Sequence, residues 1–176
     1  MAENTDILIL CVGGLGSSQM GSIIDYFSCQ PRCTVVSAGD NNGWAQNFAD
    51  IMEPFTWNRL CIIGHSFAGI PILEYIAANP GKVDYAGLID PVSCRPFVAS
   101  WPAPTPMPSY NCFQRSEFGV EVKLDITGLP DPIIVPGNHN DLPHNSWLIA
   151  ELDRGVFGVN GTNEKNTPAV SPAPTT

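Results

Sequence analysis

The sequence contains few charged side chains, and basic ones are the scarcest. Charged residues make up 14% of the 176 positions, with 8 Lys and Arg against 17 Asp and Glu, for a net charge of −9. An acidic chain repels the phosphates of nucleic acid, so this composition argues against a nucleic-acid partner. Because 44% of the residues are hydrophobic, the composition also excludes a highly charged disordered polymer.

Long hydrophobic runs are absent as well. The apolar run at residues 7–12 has the length of a strand and falls far short of the ~20 residues that a membrane-spanning helix requires. Glu3 and Asp6 stand where a secretory signal would carry positive charge. We therefore expect a soluble, cytoplasmic protein with no membrane span.

The length suits one domain of ordinary size. Residues 1–156 hold the apolar segments and are predicted to form that single domain. Residues 157–176 are mainly small and polar, rich in Pro and Thr, and offer little apolar surface to bury. We expect this segment to be a disordered C-terminal tail.

The six cysteines do not form a metal-binding pattern. Cys29 and Cys33 are the only closely spaced pair, and no second pair follows at zinc-ligand spacing. Cys11 and Cys61 lie in apolar runs, where a free thiol behaves as a small buried hydrophobe. We predict reduced thiols and no metal site, with a disulfide as the alternative.

Short apolar runs alternate with helical patterns along the chain. Because each run is apolar throughout, we expect an α/β fold with a mostly parallel sheet and helices on both faces. Five prolines make residues 93–108 an irregular loop. Strands are predicted at residues 6–12, 33–38, 59–63, 85–89, 110–113 and 133–135, and the clearest helices at 67–78 and 144–154.

Parallel strands connected by right-handed crossovers place all their carboxyl ends at one edge of the sheet. Four segments that follow predicted strands should therefore meet there. They are the glycine-rich residues 13–16, Ser66, Asp90 and the loop that contains His139. Sites in folds of this class collect at that edge.

Ser66 lies between a predicted strand and a predicted helix, in the segment RLCIIGHSFAG. A serine on such a tight turn exposes its hydroxyl and needs small residues two positions before and after it, which Gly64 and Ala68 supply. The pattern predicts a nucleophile. The alternative interpretation is a helix cap.

A serine nucleophile needs a base, and the chain has three histidines. His139 and His144 follow the last predicted strand, in GNHNDLPHN. His139 is nearer the strand end and is the preferred base, with His144 as the alternative. His65 adjoins Ser66, and we expect its side chain to point into packing or a neighbouring loop. The plain interpretation of His139 is a polar loop residue.

A third group must orient the imidazole and stabilise its charge. Asp90 ends the fourth predicted strand and is the preferred acid, while Glu117 and Asp141 are the alternatives. Because Pro91 follows it, Asp90 is also consistent with a simple turn.

Backbone N–H groups are needed where negative charge develops on a carbonyl substrate. The N–H of Phe67, directly after Ser66, is one predicted donor, and that of Leu15 or Gly16 in the glycine-rich loop is the second. The segment GGLGSSQMG fits neither the dinucleotide nor the P-loop pattern, so a nucleotide cradle is disfavoured.

With these motifs, residues 6–155 resemble the α/β-hydrolase superfamily, especially its small, lidless members. The resemblance rests on VGGLG as an oxyanion loop, GHSFAG as a nucleophile elbow and the histidine in GNHNDLPHN. It implies a minimal three-layer sandwich and the order nucleophile, acid, base, which Ser66, Asp90 and His139 follow. The chain departs from the family at Ala68, which replaces a glycine. The acid also comes one strand earlier than is usual.

The preferred function is a serine hydrolase that cleaves a small-molecule acyl ester or thioester without metal or cofactor. Phe97, Trp101 and Met107 in the proline-rich loop are predicted to line an acyl pocket, or else to pack the loop onto the domain. The alternatives are an amidase or peptidase with the same residues, and a non-catalytic binding protein of the same fold. The pattern does not address oligomeric state.

Overall fold

The computed structural model describes residues 3–14, 17–38, 44–93, 100–116 and 122–158. The strands are β1 (Glu3–Val12), β2 (Cys33–Ala38), β3 (Phe55–His65), β4 (Tyr85–Ile89), β5 (Val92–Ser93), β6 (Ser100–Pro102), β7 (Ser109–Arg115), β8 (Val122–Lys123), β9 (Asp125–Thr127) and β10 (Ile133–Val135). The α-helices are α1 (Gly21–Ser28), α2 (Trp44–Met52), α3 (Gly69–Ala78) and α4 (Ser146–Phe157). Short 3-10 helices cover Ser17–Met20, Ser66–Ala68 and Leu142–His144.

Six strands form one sheet in the order β2-β1-β3-β4-β7-β10. Every neighbouring pair is parallel. The prediction of an α/β fold with a mostly parallel sheet is confirmed. Because all six strands run the same way, their carboxyl ends share one edge.

The side chains of the central strands divide the core into two clusters. Leu8 and Leu10 of β1 belong to one cluster, together with buried residues of α2 and α3. Ile7 and Ile9 belong to the other, with buried residues of α1 and α4. Successive side chains of a strand point to opposite faces, so these strands are apolar throughout because both of their faces are covered.

Two strands are longer than the apolar runs predict. β1 begins at Glu3 and β3 at Phe55, because Glu3, Asn4 and Thr5 pair with Phe55, Thr56 and Trp57 beyond the apolar runs. Residues 3–6 of β1 are all polar, while at the start of β3 polar residues alternate with the partly buried Phe55 and Trp57. The run of apolar residues therefore marks the buried centre of each strand and not its ends.

The prediction of an irregular loop at residues 93–108 is wrong in part. Ser100–Pro102 forms β6, which pairs in parallel with β9, and β5 pairs antiparallel with β8. These pairings join distant segments, so the local sequence carries no signal for them. Phe97 lies outside the described residues.

The last helix is shifted from its predicted position. It begins at Ser146 because Asn145 caps it, with a side-chain oxygen that accepts from the N–H groups of Trp147 and Leu148. It continues through Phe157, the first residue of the predicted tail, and residues 159–176 lie outside the described residues. Within the described residues, no helix is long and apolar enough to cross a membrane.

Candidate active site

Ser66 stands on the turn from β3 into α3. β3 ends at His65, and the 3-10 helix Ser66–Ala68 leads directly into Gly69, the first residue of α3. Ser66 has a φ of 63°, in the left-handed region that costs a residue with a side chain about 1–2 kcal/mol. Backbone strain of this kind persists only where the surrounding structure enforces it, and it is common at functional sites.

The turn is tight because Gly64 lies against α3. A methyl group added to Gly64 would come within 2.2 Å of Ile72 Cδ1 and 3.0 Å of Ala68 Cβ. A side chain at position 64 would therefore push α3 away from β3. Ala68 is accommodated because its methyl group faces a glycine, which explains why the turn forms without a glycine at position 68.

The strand order reverses beside Ser66. From β1 the chain passes to β2 on one side and then to β3 on the other. Such a reversal leaves a crevice at the carboxyl ends of the strands. Gly14 follows β1 there, and a methyl group added to it would lie 2.5 Å from Ser66 Cβ and 2.9 Å from Ser66 Oγ. The backbone after β1 therefore touches Ser66 directly.

His139 reaches Ser66 from the loop after β10. Its Nε2 lies 2.7 Å from Ser66 Oγ. The two residues are 73 positions apart in the chain, and only the parallel arrangement of β3 and β10 brings their carboxyl ends to one edge. The His139 side chain is 16% exposed, so a molecule in the crevice has access to its ring.

Asp90 occupies the other side of the His139 ring. It follows β4, has a φ of 44° and is fully buried. Its Oδ2 lies 2.5 Å from His139 Nδ1, and its backbone N–H donates to the carbonyl of Phe113 at 2.7 Å. The latter bond ties the turn after β4 to β7.

These contacts define the protonation of the neutral His139 ring. Nδ1 faces a carboxylate and therefore carries the proton that it donates to Asp90. Nε2 is then free to accept the hydroxyl proton of Ser66. The three side chains form a hydrogen-bonded series from carboxylate to imidazole to hydroxyl, the arrangement in which a serine hydroxyl becomes nucleophilic.

The alternative residues have other partners. His144 Nδ1 lies 2.6 Å from Ser22 Oγ of α1. Asp141 accepts from Asn138 Nδ2 at 2.5 Å. Neither takes the place of His139 or Asp90 in the series, and Glu117 lies outside the described residues.

His65 supports the loop that carries His139. Its ring is fully buried, its Nε2 lies 2.9 Å from the backbone carbonyl of His139, and the two rings are 4.4 Å apart. Burial, followed by the proximity of His139, lowers the pKa of His65 to about 4. The ring is therefore neutral at pH 7, and its Nε2–H donates to that carbonyl. The side chain enters a neighbouring loop, one of the two positions expected for it.

No protein-family model matches the sequence, and no curated protein matches it. The function must therefore be inferred from the chemistry of the site.

The predicted oxyanion donors are placed in part. Phe67 lies in the first turn of the helical segment that begins at Ser66, where a backbone N–H has no preceding helical carbonyl to bind. Leu15 and Gly16 lie outside the described residues. Gly14, the residue before them, touches Ser66.

Two of the residues predicted to line an acyl pocket, Trp101 and Met107, lie among the described residues. Trp101 and Met107 are partly buried and pack against the core cluster that contains α2 and α3. This contact corresponds to the second of the two roles predicted for them, which is to pack the loop onto the domain. Among the described residues, no group of three or more His, Cys, Asp or Glu side chains is placed to hold a metal ion.

Sequence reasoning missed one charged residue at the site. Arg115, the last residue of β7, is only 4% exposed, and its Nη1 lies 3.3 Å from Asp90 Oδ2. Nothing in the motifs around Asp90 or His139 points to it. Its contact depends on β4 and β7 being neighbours in the sheet.

Proposed function

We propose that this chain is a serine hydrolase that cleaves a carboxylic ester or thioester through an acyl-enzyme intermediate. The observation that carries the proposal is the hydrogen-bonded series of Ser66, His139 and Asp90, with contacts of 2.7 and 2.5 Å, at the crevice of the sheet. The strained turn that presents Ser66 supports the same assignment.

In the proposed reaction, Ser66 Oγ attacks the substrate carbonyl carbon while His139 Nε2 takes the hydroxyl proton. Asp90 stabilises the imidazolium that forms. Collapse of the tetrahedral intermediate breaks the bond to the alcohol or thiol, which leaves with the proton from His139. A water molecule, deprotonated by His139 in turn, then attacks the acyl-enzyme and releases the acid and Ser66.

The developing oxyanion needs N–H donors within about 3 Å. We assign this role to the backbone N–H of Phe67 together with that of Leu15 or Gly16. The contact between Gly14 and Ser66 supports the second donor, because it brings the chain after β1 against the nucleophile. No metal or organic cofactor takes part in these steps.

We further propose that the fold is a minimal, lidless α/β-hydrolase, a three-layer sandwich. The parallel strand order and the two core clusters support this assignment. In this proposal the acid is Asp90, which follows β4, the first strand after the nucleophile helix α3. The more usual position in that superfamily, after the next strand, is near Arg115, the residue that contacts Asp90 here.

The test is covalent labelling with a fluorophosphonate, followed by measurement of the intact mass. Wild type should take up one adduct and Ser66→Ala none, because an activated serine attacks the phosphorus. Ser109→Ala, which removes an exposed serine at the start of β7, is the matched control and should be labelled as wild type is.

A substrate panel then defines the bond that is cleaved. Esters and thioesters should be hydrolysed by wild type and Ser109→Ala but not by Ser66→Ala, whereas preferential cleavage of anilides would indicate an amidase. Folded wild-type protein that takes up no adduct and turns over no substrate contradicts the proposal and favours a non-catalytic binding protein.

A further inference from the structure

Arg115 contacts Asp90 in two ways. Its Nη1 lies 3.3 Å from Asp90 Oδ2, the same oxygen that faces His139, and its backbone N–H donates to Asp90 Oδ1 at 3.4 Å. Both side chains are withdrawn from solvent, with 4% of Arg115 and none of Asp90 exposed. One residue of β7 therefore contacts both oxygens of the carboxylate.

We propose that Arg115 is a positioning residue of this site, which holds the Asp90 carboxylate toward His139 and sets the pH range in which His139 acts as a base. This inference rests on the proposed function, since it concerns the same reaction. Arg115 acts through Asp90, and no contact with substrate is assigned to it.

The first part of the argument concerns geometry. A carboxylate bonded only to His139 through one oxygen can rotate about its side-chain bond. The backbone N–H of Arg115 on Oδ1 and the guanidinium on Oδ2 restrict this rotation. A buried carboxylate also needs a compensating cation to stay ionised. Arg115 supplies one whether or not His139 is protonated.

The second part concerns charge. Within the described residues, the charged and titratable groups that face His139 from neighbouring elements are His65 at the end of β3, Asp90 after β4 and Arg115 on β7. On its own loop are Asp141 and His144, whose partners are Asn138 and Ser22. Since His65 is neutral at pH 7, the buried charges beside His139 in the described part of the chain are the opposed pair of Asp90 and Arg115.

This pairing has a consequence for the pH–rate profile. Protonation of His139 is favoured by Asp90 and opposed by Arg115. Loss of the guanidinium charge should therefore make His139 easier to protonate, and the acidic limb of kcat/KM should move to higher pH. A residue that only filled space would leave that limb where it is.

The test compares Arg115→Gln, Arg115→Lys and the matched control Arg32→Gln. Arg32 is a largely exposed cation paired with Asp6 near the amino end of β1, away from the site edge. In Arg115→Gln we expect kcat to fall about 10- to 100-fold with KM unchanged, and the acidic limb to move to higher pH. Arg115→Lys should restore the limb but only part of kcat, and Arg32→Gln should match wild type.

A second readout does not depend on turnover. The chain has three histidines, whose ring signals can be assigned by nuclear magnetic resonance with single substitutions. In Arg115→Gln the His139 ring should become protonated at higher pH than in wild type, because the guanidinium that opposes its positive charge is gone, while the signals of the exposed His144 should follow pH as they do in wild type. Arg32→Gln should move neither.

The outcomes separate this inference from the proposed function. If wild type neither labels nor turns over substrate, the proposed function fails, and the titration still tests the effect of Arg115 on His139. If wild type is active and folded Arg115→Gln has wild-type kcat and an unshifted acidic limb, the inference is overturned. Should Arg115→Gln fail to fold, Arg115→Lys decides, because wild-type kcat in that variant contradicts a positioning role.

Discussion

Gly14→Ala should damage the site without removing any of its functional groups. The added methyl group would lie 2.5 Å from Ser66 Cβ, 2.9 Å from Ser66 Oγ and 3.1 Å from the backbone carbonyl of His65. All three atoms belong to the strained turn. The His65 carbonyl is part of the backbone and Ser66 Cβ is attached directly to it, so neither atom can move unless the backbone moves. Rotation of a flexible side chain cannot relieve the contact, so the backbone must move.

The size of the movement follows from these distances. Ordinary contacts of a Cβ begin at 3.4 Å, so β1 and the turn at Ser66 must separate by about 0.9 Å, the difference between 3.4 and 2.5 Å. Overpacking of this kind costs about 1–3 kcal/mol of unfolding free energy. A displacement of about 1 Å between Ser66 Oγ and His139 Nε2 should lower kcat/KM about 100-fold.

The measurement combines the fluorophosphonate labelling rate, kcat/KM on an ester and thermal unfolding. The matched control is Gly21→Ala at the start of α1, where an added methyl group has no neighbour within 4 Å. It should keep wild-type activity and gain up to about 1 kcal/mol from the higher helix propensity of alanine.

A double substitution tests whether the stability cost of Gly14→Ala arises from its contact with the Ser66 side chain. Ser66→Gly removes both the Cβ and the Oγ that Gly14→Ala would strike, and glycine tolerates the φ of 63° at that position. The stability cost of Gly14→Ala should therefore shrink in the Ser66→Gly background. Wild-type labelling and an unchanged melting temperature in Gly14→Ala would refute the reasoning from close contact.

Two further predictions concern the acid and the buried histidine. Asp90→Asn should lower kcat about 10⁴-fold, because an amide cannot hold the required tautomer of His139 or balance its charge. Asp141→Asn should leave kcat unchanged, and steady-state kinetics on the preferred ester compares the two. Burial lowers the pKa of His65 from 6.5 to about 4. As the pH falls, the unfolded chain therefore takes up a proton at His65 at a higher pH than the folded chain does. Stability from this group is complete above pH 6.5 and is lost as the pH falls toward 4, by about 3 kcal/mol. Urea unfolding should therefore show a smaller loss between pH 7 and pH 4 for His65→Gln, whose amide can still donate to the carbonyl of His139, than for wild type.

Each of these has a clear contrary result. If Asp141→Asn loses more activity than Asp90→Asn, the carboxylate that serves His139 is wrongly assigned. If wild type and His65→Gln lose the same unfolding free energy between pH 7 and pH 4, burial of a neutral His65 is not a source of the acid sensitivity.

The sequence by itself determined the alternation of strands and helices. The central parts of β1, β3 and β4 are short and apolar, because strands covered on both faces need no alternation with polar residues. The edge strands β2 and β10 are also short and rich in apolar residues, although they are only partly buried. Periodicity did not reveal the ends of β1 and β3, where pairing continues beyond the core, or β6, whose partner lies in β9.

The local sequence was also enough to place Ser66 on a strand-to-helix turn. Gly64 and Ala68 are its neighbours in the chain, and the demand for small residues there arises within one turn of helix. The positions of His139 and Asp90 after strands put both on the same edge, because parallel strands end together.

Which carboxylate lies beside His139 was decided only by the tertiary structure. Its place after a strand made Asp90 the preferred candidate over Asp141 and Glu117, but the distance of 2.5 Å from Asp90 to His139 arises from the order of β4, β7 and β10 in the sheet. The same order brings Arg115, 25 positions from Asp90, onto its carboxylate. Contacts of this kind join segments far apart in the chain, so they depend on strand neighbours and register, which no local pattern encodes.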